Sequence, residues 1–424
     1  MLKGKTVMKN VYDIKYEKCL SFIFPTKCHY DVPCTGRTKH EQTVIILYLY
    51  YEDTLPEYFK YLNDIPNDIH VYIISSRQRV LDCIKEYTYK KNMEFVLKEN
   101  LGRDVSALLI TANEIIKNYQ YVCFIHDKKE HKPTTEKETK LWVENLWGNL
   151  IGSSSYIDSV LGLLGENERL GILSPPDPIG DHFCTWYGFG WHDSYEITKK
   201  LADSLHLEAD ISADKPPITI GTALWFKTAA LRKLFEVGWD YKDFDDRKLD
   251  DSNYLSYGIE RIFAYVAQDA GFDTGEVMTI EYAQKQNNYL RYATGRIFAE
   301  MMPFFPLPTV TAIEDCKRSV PQLIEFIKRN KRVYLYGAGN MGRFCLSLLR
   351  REGLEVEGFI VSSQPESEMI DALPVMFIDN VDLLGDLDTG VVITVAKPKM
   401  KMQIIEKLKE KKISNYIEFW NLGE

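Results

Sequence analysis

Residues 93–129 run MEFVLKENLGRDVSALLITANEIIKNYQYVCFIHDKK, and the order of the parts in this stretch decides the fold. Met93 to Leu97 and Tyr121 to Ile125 are apolar runs of strand length. Between them, Val105 to Tyr119 places Leu108, Leu109, Ala112, Ile115 and Ile116 on one helical face. Strand, helix, strand in that order predicts a βαβ unit, with parallel strands and a right-handed crossover. Each strand runs directly into a charged loop, Glu99-Asn100-Leu101-Gly102-Arg103-Asp104 after the first and His126-Asp127-Lys128-Lys129 after the second. Ligands of an open α/β sheet sit at the carboxyl ends of its strands, so the two clusters predict one shared site. Arg103 suits a diphosphate and Asp104 a cation or a sugar hydroxyl, although capping of a surface helix would also account for both.

The same alternation continues outward. Val44 to Tyr51 is a buried strand, Glu57 to Leu62 begins a helix, and Val71 to Ile74 is a second strand ending in Ser75-Ser76. Downstream, Leu170 to Leu173 and Gly221 to Phe226 are further strands. Leu255 to Ala270 is an amphipathic helix carrying Glu260 and Arg261. Lys132 to Lys140 has no apolar face and predicts a loop. Asp177 to Asp193, rich in Gly, Trp, Tyr, Phe and His, has the composition of a binding loop, which makes Trp186 and Trp191 the acceptor-site candidates. The expected organisation is an N-terminal arm over 1–40, a main α/β domain with a mostly parallel sheet over 41–310, and a smaller unit over 311–424.

That last unit reads as Rossmann-like. Arg332 to Tyr336 is a strand, Gly337-Ala338-Gly339-Asn340-Met341-Gly342 is a GxGxxG turn, a helix follows to Arg351, and Val356 to Val361 is the next strand. Gly337, Gly339 and Gly342 are the nucleotide-binding candidates there. A dinucleotide site wants an acid at the end of the second strand, and this chain has Val361-Ser362-Ser363, so NAD(P) is not the expected cofactor.

Composition narrows the function classes. A net charge of -9 and a pI near 5.6 do not supply the basic surface that nucleic-acid binding needs. The longest apolar run, Thr43 to Tyr51, is far short of a membrane span, and the N-terminus has no apolar signal core. A cytoplasmic protein is expected, and Lys407, Lys409, Lys411 and Lys412 read first as an ordinary solvated helix face and second as a basic stretch for an anionic membrane surface. The eight cysteines form no CxxC pair and predict reduced thiols.

The strand ends carry the groups that transfer of a nucleotide-activated sugar requires. Arg103 and Lys128 neutralise phosphate, while Asp104 and Asp127 hold sugar hydroxyls or a divalent cation. Tyr50 and Ser75 end the first two strands and suit a base and ribose. His126 flanks Asp127, Trp225 is a pocket wall or a core residue, and Glu260 is the candidate base. Only one acid stands in His126-Asp127-Lys128. Mg2+ or Mn2+ at Asp127 therefore needs a remote acid or histidine, unless lysines replace the metal's charge.

Taken together, Tyr50-Tyr51-Glu52, Glu99-Asn100-x-Gly102-Arg103-Asp104, His126-Asp127-Lys128-Lys129, Gly221-Thr222-x-x-Trp225 and Ile259-Glu260-Arg261 resemble the rhamnan synthesis protein F family of bacterial polysaccharide glycosyltransferases. The resemblance covers roughly Thr43 to Phe272. It implies a GT-A-like domain, Glu260 as the base of an inverting reaction and Asp127 at the strand end that bears the metal motif. It also implies dTDP-L-rhamnose as a donor and a cell-wall, capsule or lipopolysaccharide glycan, free or lipid-linked, as acceptor. The chain has Ser252-Asn253 and Tyr257 where the family pattern has Asp-Gly and His, which leaves the sugar open. Two other readings stand beside it: an NAD(P)-dependent sugar-modifying enzyme run by the GxGxxG unit, and a non-catalytic nucleotide-sugar sensor.

Overall fold

The computed structural model describes residues 9–26, 35–88, 92–129, 136–179, 190–244, 254–301, 310–365, 367–381, 388–395 and 397–419. The chain divides into two compact units, Met1–Tyr289 and Leu290–Glu424.

The first unit is built on eight strands: β1 (Ser21–Phe24), β2 (Thr43–Tyr48), β3 (His70–Ser75), β4 (Met93–Leu97), β5 (Tyr121–His126), β6 (Leu170–Ser174), β7 (Leu224–Lys227) and β8 (Asp273–Thr279). They form one sheet in the order β1-β8-β6-β7-β5-β2-β3-β4. All neighbours are parallel except β7, which lies antiparallel between β5 and β6. The register sets Tyr48 opposite both Ile74 and His126, so β2, β3 and β5 end at one level.

Burial explains the continuous apolar strands. Val44, Ile46, Val122 and Phe124 pack on one side of the sheet with Leu108, Leu109 and Phe263. Their neighbours Ile45, Leu47, Cys123 and Ile125 pack on the other side with Tyr58, Trp147 and Leu161. Alternate residues of a strand thus meet two helical layers, which is what a mostly parallel sheet requires.

Two expectations are corrected here. The expected N-terminal arm over residues 1–40 instead supplies, in its described part, an edge of the main sheet. β1 pairs with β8, and Lys15 on the helix Val11–Glu17 makes a buried 2.6 Å ion pair with Glu276. An edge strand of four residues, half exposed and paired with a segment some 255 positions away, carries no local signature. The expected loop over Lys132 to Lys140 is helical from Glu136, in the helix Glu136–Ile151. Its polar first turns are good helix formers, and the apolar residues that anchor the helix, Leu146, Trp147 and Leu150, come later.

The second unit holds β9 (Arg332–Tyr336), β10 (Gly358–Val361), β11 (Met369–Ile370), β12 (Leu373–Phe377), β13 (Thr389–Ile393) and β14 (Tyr416–Glu418), in the order β11-β12-β10-β9-β13-β14. Apart from the short antiparallel β11, the strands are parallel, and β12-β10-β9-β13-β14 is the order 3-2-1-4-5 of a doubly wound sheet. The GxGxxG turn leads from β9 into the helix Asn340–Arg351. A Cβ on Gly342 would stand 1.9 Å from the Gly337 carbonyl oxygen, so that glycine is what lets the helix sit against the turn.

Candidate active site

The site is assembled at the carboxyl ends of β2, β3, β4 and β5, and Asp127 organises its floor. The Asp127 N–H donates to the Tyr48 carbonyl at 3.0 Å, and its Oδ2 accepts the N–H groups of Tyr50 at 2.7 Å and Tyr51 at 2.8 Å. Burial pushes the Asp127 carboxyl up to about 7 against the pull of those two N–H groups, and the nearby charge of Asp104 adds to the rise. This carboxylate is a clip between two loops. Its Oδ2 is turned toward backbone, and among the described residues no three His, Cys, Asp or Glu side chains group as a metal shell.

The loop after β4 is held as firmly. The Lys98 ammonium donates to the carbonyls of Glu99 at 2.7 Å and Leu101 at 2.9 Å, and the Ser106 hydroxyl donates to Leu101 at 2.5 Å. Gly102 and Arg103 follow with φ of 68° and 48°, a left-handed corner that turns the chain into the helix bearing Asp104. A Cβ on Gly102 would lie 2.5 Å from the Cβ of Phe244. Asp104 accepts a hydrogen bond from the Thr222 hydroxyl, and its Oδ2 lies 3.8 Å from His126 Nε2. Burial pushes the Asp104 carboxyl upward, but His126, Thr222 and Lys128 outweigh it and hold the group below the usual carboxylate range.

Glu260 approaches from the helix Leu255–Asp269, with its side chain 24% exposed. Burial raises its carboxyl to about 7, with the Asp104 charge adding and Arg261, Lys128 and Arg103 opposing. Arg261 is buried, and it donates through Nε to the Gly190 carbonyl at 2.9 Å and through Nη1 to Tyr257 at 3.0 Å. It therefore ties the Glu260 helix to the segment beginning at Gly190. The Lys128 ammonium sits 3.4 Å over the Trp142 ring. Beside it, Trp142, Asp177 and Gly221 line a narrow recess of about 20 Å3.

The structure thus brings Tyr50, Arg103, Asp104, His126, Asp127, Lys128 and Glu260 together. Three other candidates are buried. Ser75 is fully buried, and its hydroxyl accepts the Arg77 N–H at 3.1 Å. Trp225 is a core residue, its indole donating to the Leu150 carbonyl at 2.8 Å. Trp191 is likewise buried, donating to the Lys215 carbonyl at 2.6 Å and stacked on Tyr265. Trp186 lies outside the described residues. Sequence reasoning missed Thr222, Trp142 and Arg77, whose guanidinium stacks 4.0 Å over the Tyr50 ring. Thr222 had a signal, a hydroxyl beside the left-handed Gly221 at the mouth of β7. In the second unit, Gly337 and Gly339 form the turn after β9, and β10 runs into Ser362, whose hydroxyl lies 3.1 Å from that of Tyr336.

One carboxylate held low beside another held high, with cations around both, is the electrostatic pattern of acid–base chemistry. Asp104 is anchored by Thr222 and held low, while burial holds the Glu260 carboxyl up.

A model of the rhamnan synthesis protein F family matches residues 3–272. No curated protein matches the chain. Among solved structures, the mannosyltransferase PcManGT from Pyrobaculum calidifontis, in complex with GDP-Man and Mn2+, matches at 12% identity and a TM-score of 0.31, over 59% of this chain and 60% of its own. Nitrogenase Cp1 at pH 6.5 matches at 9% identity and a TM-score of 0.16, over 94% and 90%. The chain thus spans 60% of the mannosyltransferase chain.

Proposed function

The chain belongs to the rhamnan synthesis protein F family, and from that premise we propose that it is a glycosyltransferase acting by an inverting displacement on a nucleotide-diphosphate sugar, with Glu260 as base. What carries this reading is the placement of Glu260, on the helix Leu255–Asp269, beside Asp104, Arg103 and Lys128 at the strand ends, where burial raises its carboxyl to about 7. Ionised Glu260 takes the proton of an acceptor hydroxyl as that oxygen bonds to the anomeric carbon. The bond from that carbon to the diphosphate oxygen breaks, and the electron pair leaves with the diphosphate. Arg103 and Lys128 neutralise the charge that develops there. Asp104, fixed by Thr222, orients a donor hydroxyl, and the Tyr50–Arg77 stack offers a face for the base.

The donor to test first is dTDP-L-rhamnose, and the acceptor is a growing cell-surface polysaccharide or a lipid-linked glycan. Mg2+ or Mn2+ would be held at Asp127, with Asp104 as the neighbouring acid. Among the described residues no helix is long and apolar enough to cross a membrane. A peripheral position at the cytoplasmic face would rest on Lys409 and Lys412, since Lys407 and Lys411 each lie 3.3 Å from Asp379. For the second unit we assign nucleotide binding to Gly337, Gly339 and Gly342.

A panel of nucleotide sugars, screened by thermal shift with and without Mg2+ or Mn2+, tests the reading. A donor at a hundred times its Kd adds about 2.7 kcal/mol of stability. Glu260→Gln keeps that shift and loses transfer. No stabilising donor, or full transfer by Glu260→Gln, sinks the assignment, while micromolar NAD(P) binding lost on substitution of Gly339 favours the oxidoreductase reading.

A further inference from the structure

The helix Glu136–Ile151 serves the reactive cluster through Trp142, and it also lines a second, larger concavity. Leu141, Glu144 and Gly148, with Tyr61, Lys285 and Ile179, border a groove of about 460 Å3. That volume falls within the roughly 300–1,000 Å3 of ligand pockets, whereas the recess beside Lys128 holds about one water. The two concavities adjoin along the chain. Leu141 precedes Trp142, and Ile179 follows Pro178, which lines the recess.

The wall between them is built. Asn149 accepts the Thr279 N–H at 2.8 Å and donates to Asn145 at 2.8 Å, and Asn145 donates to the Pro176 carbonyl at 2.7 Å. The Tyr282 hydroxyl donates to the Asp177 carbonyl at 2.9 Å. These bonds fix the loop that separates groove from recess.

The groove floor is bare where a side chain would fit. A Cβ on Gly148 would meet nothing nearer than the Tyr61 hydroxyl at 3.9 Å, so no packing demands glycine there. Glycine weakens a helix relative to alanine, and what it gains is close approach to the backbone. The Tyr61 hydroxyl beside it has no hydrogen-bond partner among the described residues. The lining combines the Tyr61 hydroxyl, the Glu144 carboxylate and the Lys285 ammonium with the Tyr61 ring, over which the Lys60 ammonium sits at 4.7 Å, and such a mixture suits a chain of sugars, polar at its rims and apolar on its ring faces, better than a hydrocarbon chain.

We propose that this groove holds the glycan acceptor, several sugar units long. The proposal rests on the glycosyltransferase reading. Its test is fluorescence polarisation of a labelled rhamnan hexasaccharide on the full chain, with the donor thermal shift measured in parallel. Gly148→Leu should weaken oligosaccharide binding at least tenfold and leave the donor shift unchanged, while Gly148→Ala keeps both. Lys285→Ala, on an exposed side chain, should weaken oligosaccharide binding severalfold and serves if Gly148→Leu does not fold. Wild-type binding unaltered in Gly148→Leu and Lys285→Ala, or no wild-type binding in the millimolar range, overturns the proposal. A donor shift without oligosaccharide binding removes the groove alone. Oligosaccharide binding that responds to Gly148 while no nucleotide sugar binds removes the transferase reading and leaves a glycan site.

Discussion

At the scale of single residues, two carboxyls near 7 make different demands. Glu260 works as a base only when ionised, so kcat/KM should rise about tenfold per pH unit below 7 and level off above it. A profile that stays flat between pH 5 and 8 at low salt would remove Glu260 from the chemistry. Asp127 bears on stability instead. Its folded value lies above the ordinary carboxylate range, so the folded state binds the proton more tightly, and stability falls as pH rises from about 4 to about 7, by up to about 1.4 kcal/mol per unit. Asp127→Asn keeps an oxygen for the Tyr50 and Tyr51 N–H groups and should fold with that pH dependence reduced. Asp127→Ala strands two buried donors, at about 1–3 kcal/mol each, and equilibrium urea unfolding at pH 7 separates the two variants. The types of these residues were legible as strand-end acids. Their division of labour was not, because it depends on which atoms each carboxylate faces.

At the scale of elements, the loop between β4 and the Asp104 helix turns through a left-handed corner. Gly102 needs a left-handed φ and tolerates no Cβ against Phe244, so Gly102→Ala should lose more than about 1 kcal/mol, read by thermal unfolding. It should also weaken the donor shift, since Arg103 and Asp104 leave that corner together. Gly102→Ala with unchanged stability and donor response would mean that the corner is not what places them. Elements with a strong period were legible from sequence: β4 lies where its apolar run puts it, and the helix Leu255–Asp269 differs by one residue from its expected end. Those bound by distant partners were not. β1 and β8 find each other across the whole first unit, and only the carbonyls of Leu150 and Lys215, which take the indole N–H groups of Trp225 and Trp191, decide for Trp225 between pocket wall and core and bury Trp191.

At the scale of the whole molecule, the four hydrophobic cores among the described residues sort by unit. Two draw only on residues up to Val277, and two only on residues from Leu323 onward. Cores that share no residue can melt separately, and a lesion in one need not reach the other. Gly342 offers a clean lesion, because a Cβ there collides with the Gly337 backbone and cannot be relieved by a side-chain rotation. Gly342→Val should therefore lower one calorimetric transition by several degrees and leave the second at its wild-type temperature. Sugar transfer and the donor shift, which depend on Asp104 and Glu260, should survive at temperatures below both transitions. If both transitions moved together, the units would be one cooperative body. If transfer disappeared while the first unit stayed folded, the nucleotide turn of the second unit would be part of the reaction, and the sugar-modifying reading that the missing acid at Ser362 argues against would return.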